Sequence, residues 1–490
     1  MENLWEFAGT ALEFLFGHLF WWNMIFAVII VFFQRKDPKS VWAWLLLLFF
    51  IPFLGFVFYL VLGVDMHKRK MFQIKELEDH VNEAIRRQES RLKSRKPGED
   101  SGELGEYMDL VMYNLETSDA VLSDDNDIDI FTEGNEKFEA LIEDLKKARH
   151  FIHIQYYIIK NDVLFNRIKD VLIEKAAQGV EVRVLYDGMG CRSVSSRYWK
   201  KLRAQGIMTA EFFPPGLGRL HLRINYRNHR KIVVIDNQIG YVGGFNIGKE
   251  YIGLSERFGH WRDTHLRIRG SGVMGLQLRF ILDWNYATRE NLLQRPALLK
   301  NPTPGSRDGC KMQIITSGPD NTIDQIRDNY MRLITKAKER IYIQTPYFIP
   351  DEAVLQALLI AVRSGIEVNI MIPCKPDHPF VYWATYSYIG DLVMAGANCY
   401  TYENGFLHGK GVMADAEVFC YGTANMDIRS FSLNFEVNAV VYSKKKAQEM
   451  EQIFKEDLKC CRQITKDVYA SRPLIIRLKE QVCRLLSPLL

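Results

Sequence analysis

Two stretches of this chain share one spacing. NHRKIVVIDNQIGYVGGFN, residues 228–246, carries His229, Lys231, Asp236, Gly243 and Asn246, and LHGKGVMADAEVFCYGTAN, residues 407–425, repeats the same offsets at His408, Lys410, Asp415, Gly422 and Asn425. The surroundings repeat as well: FIHIQYYII (151–159) is echoed by RIYIQTPYF (340–348), and QGVEVRVLYD (178–187) by SGIEVNIMIP (364–373), each pair upstream of its own histidine. Short β-branched runs alternate with helix-like segments in both copies, which predicts an α/β fold with buried strands. Two units of over a hundred residues each exclude a short-period helical array and predict two homologous halves packed as a pseudo-dimer.

The residue types at those offsets point to phosphodiester chemistry. Alternate side chains of a strand share a face, so His229 and Lys231 are expected to project together, as are His408 and Lys410. A pseudo-twofold axis between the halves would bring two imidazoles and two ammonium groups to one cavity, with Asn246 and Asn425 returning from the next strand. One neutral imidazole could attack phosphorus while the other protonates the leaving oxygen. Lysines and asparagines would offset charge on the phosphoryl oxygens, each such fixed donor contributing about 3 kcal/mol in a transition state.

H-x-K-x4-D-x6-G-x2-N occurring twice resembles the phospholipase D superfamily. Within it, RNHRKIVVID, GYVGGFNIG, WRDTHLRIRG, PDHPFVYWATYSYIG, ENGFLH and GTANMDIRSF resemble the bacterial cardiolipin synthases, over nearly the whole chain. The resemblance implies phosphatidyl transfer between two phosphatidylglycerols through a phosphohistidine, without metal or other cofactor. It implies His229 and His408 as the catalytic pair, with Lys231, Lys410, Asn246 and Asn425 on the phosphate. Asp263 and Glu436 occupy the places of acids that orient the opposing imidazoles, and Asp236 and Asp415, grouped with the catalytic residues of their motifs, those of buried partners bracing them. Thr423 supplies the hydroxyl usual two residues before the asparagine, whereas Gly244 stands there in the first half, where a backbone N–H could take over. Gly411 and Ala414 occupy strand positions where β-branched residues would pack better.

Sixty-three basic and fifty-nine acidic residues leave a net charge of only +4, which argues against nucleic acid as partner. Eight cysteines without a CxxC suit a reducing compartment better than a zinc site or disulfide framework. Residues 41–62 form a charge-free apolar run, and residues about 12–33 a second one interrupted by Glu13, His18 and Asn23. Both are expected to span the membrane as a hairpin over residues 1–66. Basic flanks favour a cytoplasmic body of a multi-pass cell-membrane protein. Residues 67–130 read as a charged helix and linker, with SDDNDID (123–129) in the linker; 131–300 and 301–470 are the two halves. The last segment, 471–490, is an amphipathic helix, either docked on the protein or lying on anionic lipid. PPGLG at 214–218 reads as a loop, and PFVYWATY at 379–386 as core or as a membrane-facing rim.

Phosphatidylglycerol and anionic lipids are thus the expected partners. Water or another alcohol as acceptor would instead make a phospholipase D or a different phosphatidyltransferase. A phosphodiester nuclease is disfavoured by the apolar N-terminus and the charge, and a non-catalytic scaffold by two intact motifs.

Overall fold

IVVI at Ile232–Ile235 and GVMA at Gly411–Ala414 are buried at every residue, as strands covered on both faces must be. The computed structural model, which describes residues 17–33, 38–59, 88, 90, 104–213, 226–306 and 309–487, places each at the centre of a mixed sheet. In the first half the strand order is Ser123–Glu133, Trp261–Arg269, Ile239–Gly243, Ile232–Ile235, Phe151–Tyr156, Glu181–Asp187, Met208–Phe212. The second half repeats that order and sense with Cys310–Ser317, Asn434–Tyr442, Val418–Gly422, Gly411–Ala414, Arg340–Gln344, Glu367–Pro373 and Asn398–Tyr402. The inner sheet faces share a core with helices Val273–Thr288 and Lys444–Leu458. The α/β architecture of two homologous halves is therefore present.

Each motif strand turns back through two residues in the left-handed region, Asp236 and Asn237 (φ 52° and 56°) and Asp415 and Ala416 (φ 52° and 51°), the hairpin geometry that matches strand twist. Gly411 is required where it stands, since a Cβ there would lie 2.4 Å from the Tyr421 ring. It does not weaken the strand for want of a better-packing residue.

SDDNDID corrects the linker reading. It opens the strand Ser123–Glu133, in which Asn126 and Ile128 are buried while Asp124, Asp125, Asp127 and Asp129 are not. This strand pairs with Trp261–Arg269 along its length and with Met312 and Cys310 at its start, joining the two sheets. Before it, helix Met108–Ser118 packs on the second half, with Asn114 Nδ2 3.2 Å from Gln313 Oε1 and 2.9 Å from Asn329 Oδ1.

The N-terminal segment departs from two continuous spans. Helix Leu19–Val28 runs into a π-helical turn, Ile29–Phe33, and the later run is divided into Pro38–Phe50 and Pro52–Phe58. Proline disfavours a helical residue before it, and Ile51 leaves the helical region at φ −131° and ψ 66°. Asn23 Nδ2 donates to Leu48 O and Pro52 O at this break, at 3.1 and 3.3 Å. Among the described residues no helix is long and apolar enough to cross a membrane. Phe32, Phe49 and Phe50 nonetheless stand more than two-thirds exposed. Residues 12–16, most of the charged segment 68–96 and the PPGLG loop lie outside the described residues.

Candidate active site

The chain crosses between halves immediately before each histidine. Arg227–Asn228 pairs in parallel with Asn434 and Phe435 of the second half, and Phe406–Leu407 with Trp261 and Arg262 of the first. His229 N then donates to Phe435 O at 3.0 Å and His408 N to Arg262 O at 2.6 Å. Each imidazole is thereby set against an acid of the other half. His229 Nδ1 lies 2.9 Å from Glu436 Oε2, and His408 Nδ1 2.6 Å from Asp263 Oδ2. A carboxylate on Nδ1 fixes the proton there and leaves Nε2 as the ring nitrogen for chemistry.

Both histidines line one cavity of about 420 Å³, together with Asn246, Asn425, Tyr157, Trp261, Arg227 and Arg429. Lys231 and Lys410 are buried and are not among the residues that line it. The regular strands begin only at Ile232 and Gly411, so strand alternation does not place the lysines beside the histidines. Lys231 Nζ instead curls back to His229 O at 2.7 Å, while Lys410 Nζ reaches His408 O and stands 2.7 Å from His408 Nδ1. Burial pushes Lys231 down to about 7 and Lys410 to about 8. Burial, reinforced by Lys410, also pushes His408 down to about 4. His229 is lowered by burial as well, with Glu436 the largest opposing influence. Asp263 is held below the usual carboxylate range: burial opposes this, but Lys410 and His408 prevail.

The acids are supported differently. Thr423 Oγ1 donates to Glu436 Oε2 at 2.6 Å. In the first half the N–H of Gly244 does not take that role, because it donates to Thr264 O at 2.9 Å. The N–H that reaches Asp263 Oδ1, at 2.8 Å, is that of Thr264. What Gly244 supplies is space, since a Cβ there would stand 1.9 Å from Asp263 Oδ1. The asparagines differ too. Asn246 is engaged, accepting from Ile158 N at 3.1 Å and donating to Tyr251 Oη at 3.1 Å, whereas Asn425 Oδ1 is buried without a hydrogen-bond partner.

Asp236 and Asp415, grouped with the catalytic residues at the sequence level, stand at the far ends of their strands and are only half-buried. Asp236 accepts from the backbone N–H groups of Arg149, His150 and Phe151 at 2.7, 2.9 and 2.7 Å. Asp415 accepts from those of Lys338, Glu339 and Arg340 at 2.8, 2.9 and 2.8 Å. Their carboxylates cap the start of the neighbouring strand and do not meet the histidines.

Sequence reasoning missed the supports under the floor. Arg230 binds Asp283 through Nη1 at 2.6 and 2.8 Å and donates from Nε to Glu436 O at 3.1 Å. Arg262 binds Asp457 across the halves at 2.9 and 2.7 Å. Gln155 and Gln344 donate to the same two aspartates at 2.6 and 2.8 Å. The available signal was that glutamine, repeated at the same place in two mainly apolar strands. Tyr157 meets the His229 ring edge to face at 4.9 Å, and Trp261 lies 4.9 Å from the His408 ring. Among the described residues no group of three or more histidine, cysteine, aspartate or glutamate side chains could hold a metal ion.

Comparison with known families matches residues 141–256 and 330–458 to the cardiolipin synthase, PLD-like domain, and residues 24–63 to the phospholipase D-nuclease N-terminal family. The chain is 48% identical over 471 residues to the major cardiolipin synthase of Bacillus subtilis, covering 96% of this chain and 97% of that protein. It is likewise 48% identical to a cardiolipin synthase of Oceanobacillus iheyensis, covering 97% of this chain and 99% of that one. Among solved structures, phosphatidylserine synthase of Haemophilus influenzae shares the fold with a TM-score of 0.59 at 14% identity, over 74% of this chain and 95% of that one.

Proposed function

This chain belongs to the PLD-like cardiolipin synthase family, and we propose that its two-histidine cavity joins two phosphatidylglycerol molecules into cardiolipin with release of glycerol. The observation that carries this reading is the crossed pairing of His229 with Glu436 and His408 with Asp263 on one cavity.

Nε2 of one histidine attacks the phosphorus of the first phosphatidylglycerol. The bond from phosphorus to the terminal glycerol oxygen breaks, and the second histidine gives that oxygen its proton, so free glycerol leaves and a phosphatidyl-histidine remains. The hydroxyl of a second phosphatidylglycerol then attacks, the second histidine takes its proton, the phosphorus–nitrogen bond breaks and cardiolipin departs. Bonds of one kind are exchanged, so no nucleotide drives the reaction. Glu436 and Asp263 stabilise the imidazolium form of their partners, as a carboxylate on Nδ1 does. Lys231 and Lys410 act on the phosphoryl oxygens from buried positions, where low dielectric strengthens each charge. Thr423 holds Glu436. Asn246 and Asn425 position the substrate, and the unpartnered Asn425 Oδ1 suits a glycerol hydroxyl.

The reaction needs a bilayer supply of substrate. The exposed Trp21, Phe32, Trp42 and Phe49 support the reading of the N-terminal apolar segment as a membrane anchor, with the two halves on the cytoplasmic side.

Purified protein incubated with headgroup-labelled phosphatidylglycerol as the only lipid should release one labelled glycerol per cardiolipin. Phosphatidic acid with no cardiolipin would make water the acceptor and overturn the proposal.

A further inference from the structure

The final helix, Leu474–Leu485, is turned inside out. Leu474, Ile475, Leu478, Val482 and Leu485 share one face at helical spacing, the arc a surface helix ordinarily packs on the core. Here that arc faces away from the protein: Leu474 is 81% exposed, Leu478 58% and Leu485 66%, while Glu480 is 0% exposed and Cys483 4%. The inward side is held by polar contacts. Glu480 accepts from Arg472 Nε and Nη2 at 2.7 and 2.8 Å, Arg484 Nη2 reaches Asp391 Oδ2 at 2.6 Å, and Tyr388 Oη meets Ser487 Oγ at 2.9 Å. The Asp391 and Tyr388 contacts clamp the helix and its end to Pro379–Ala395, the Arg472 contact ties it to the segment that precedes it, and together they fix the apolar arc outward.

We infer that this arc is a docking surface for an anionic phospholipid bilayer, and that it sets the mouth of the catalytic cavity at the lipid surface. The inference rests on the phosphatidyl-transfer reading for its choice of lipid. Three observations carry it. The arc is aliphatic throughout, suited to acyl chains, and lacks the aromatic and arginine anchors typical of a protein interface. Its flanks are basic, with Arg477 and Lys479 exposed and Lys479 Nζ 5.5 Å above the Trp383 ring, which complements anionic headgroups. The underside of the helix is also continuous with the site. Cys483 packs with Ile349, Ala384 and Val381, and Ile349 and Val381 line the cavity. Phe380, 59% exposed, adjoins Val381 on the same rim. A cavity of about 420 Å³ is of headgroup size, so headgroups rise into it while acyl chains stay in the bilayer.

Two measurements on the full-length protein in phosphatidylglycerol vesicles test this. A photoactivatable leucine analogue at position 478 should form adducts with lipid, and the same analogue at the buried position 483 should form them with protein only. Adducts at 478 confined to protein, whether a second copy or another segment of the chain, would overturn the inference. The variant carrying Leu474→Glu, Leu478→Glu and Leu485→Glu should lose about tenfold or more of its vesicle activity while keeping its rate on a dispersed short-chain phosphatidylglycerol. Equal loss on both substrates, or loss on neither, would also overturn it. Wild-type protein inactive on both substrates would refute the phosphatidyl-transfer reading instead, and the adduct pattern would still decide this one.

Discussion

The two halves present the same histidine by different means. In one pair, His229 faces Glu436, whose longer side chain is steadied by the Thr423 hydroxyl. In the other, His408 faces the shorter Asp263, admitted by the missing side chain of Gly244 and held by a backbone N–H. Lys231 keeps to the carbonyl of its histidine, while Lys410 crowds the ring itself. Glutamate with threonine and aspartate with glycine are thus two solutions to one distance, and each must be exchanged as a set.

If the two pairs form one reaction centre, either histidine is indispensable. His229→Ala and His408→Ala should each reduce cardiolipin formation by about 10⁴-fold or more, measured on phosphatidylglycerol vesicles with folding checked by circular dichroism. A variant retaining a tenth of the activity would break the symmetry between the pairs. The next effect separates the two supports. Gly244→Ala drives a methyl group into Asp263 and should lower kcat about 100-fold, whereas Thr423→Val removes one hydrogen bond to Glu436 and should lower it about tenfold. The reverse order would show that the hydroxyl matters more than the space.

Smaller still is the catalytic effect at the turn aspartates. Asp236→Ala and Asp415→Ala each free three backbone N–H groups and should cost about 2–4 kcal/mol of stability, read as a lower denaturation midpoint. Turnover per folded molecule should stay within about twofold of wild type. A large fall in kcat with the midpoint unchanged would return these residues to the chemistry.

The smallest signal is a fraction of a proton. With Lys231 pushed down to about 7 and Lys410 to about 8, both are already charged at pH 6 and substantially neutral at pH 8.5. A bound phosphodiester anion favours their charged forms, so binding dimethyl phosphate should take up protons on these lysines at pH 8.5, whereas at pH 6 any uptake falls to the histidines that burial holds neutral. Calorimetry in buffers of different ionisation enthalpy reads the number. Lys231→Ala should remove more of the uptake at pH 8 than Lys410→Ala, and uptake absent at both pH values would contradict the lowered lysines. The same ordering bears on stability. Because the folded values lie below the ordinary 10.5, the unfolded chain binds more protons between about 7 and 10.5, and these lysines make stability rise with pH across that window.

The duplicated offsets in the sequence pointed to both histidines, and the family resemblance to Asp263 and Glu436; the structure sets these four side chains in two pairs. Spacing carries no direction, however. Asp236 and Asp415 repeat as regularly as the histidines because a turn at the strand end must bind the neighbouring backbone in both halves. The strand at Ser123–Glu133 was obscured by its acids: Asn126 and Ile128 alternate inward with period two, but a run of aspartates resembles a linker. At the N-terminus, hydropathy outweighed the one residue, Pro52, that breaks the helix. The amphipathic pattern of Leu474–Leu485 was visible, yet an apolar stripe does not say which way it faces. That was decided by Arg472, Glu480, Arg484 and Asp391.

The crossed pairing also dictates when during its own synthesis the protein becomes dangerous. His229 and Glu436 are 207 residues apart, so a chain that ends before the second half lacks the acid that faces His229. A nascent chain would therefore carry His229 without its acid for the 207 residues of synthesis that separate the two. Reactivity toward lipid switches on only after the second half has emerged and docked, a late step because long-range pairing folds last. Truncated products left by stalled ribosomes carry one histidine without its acid, and should transfer no phosphatidyl group.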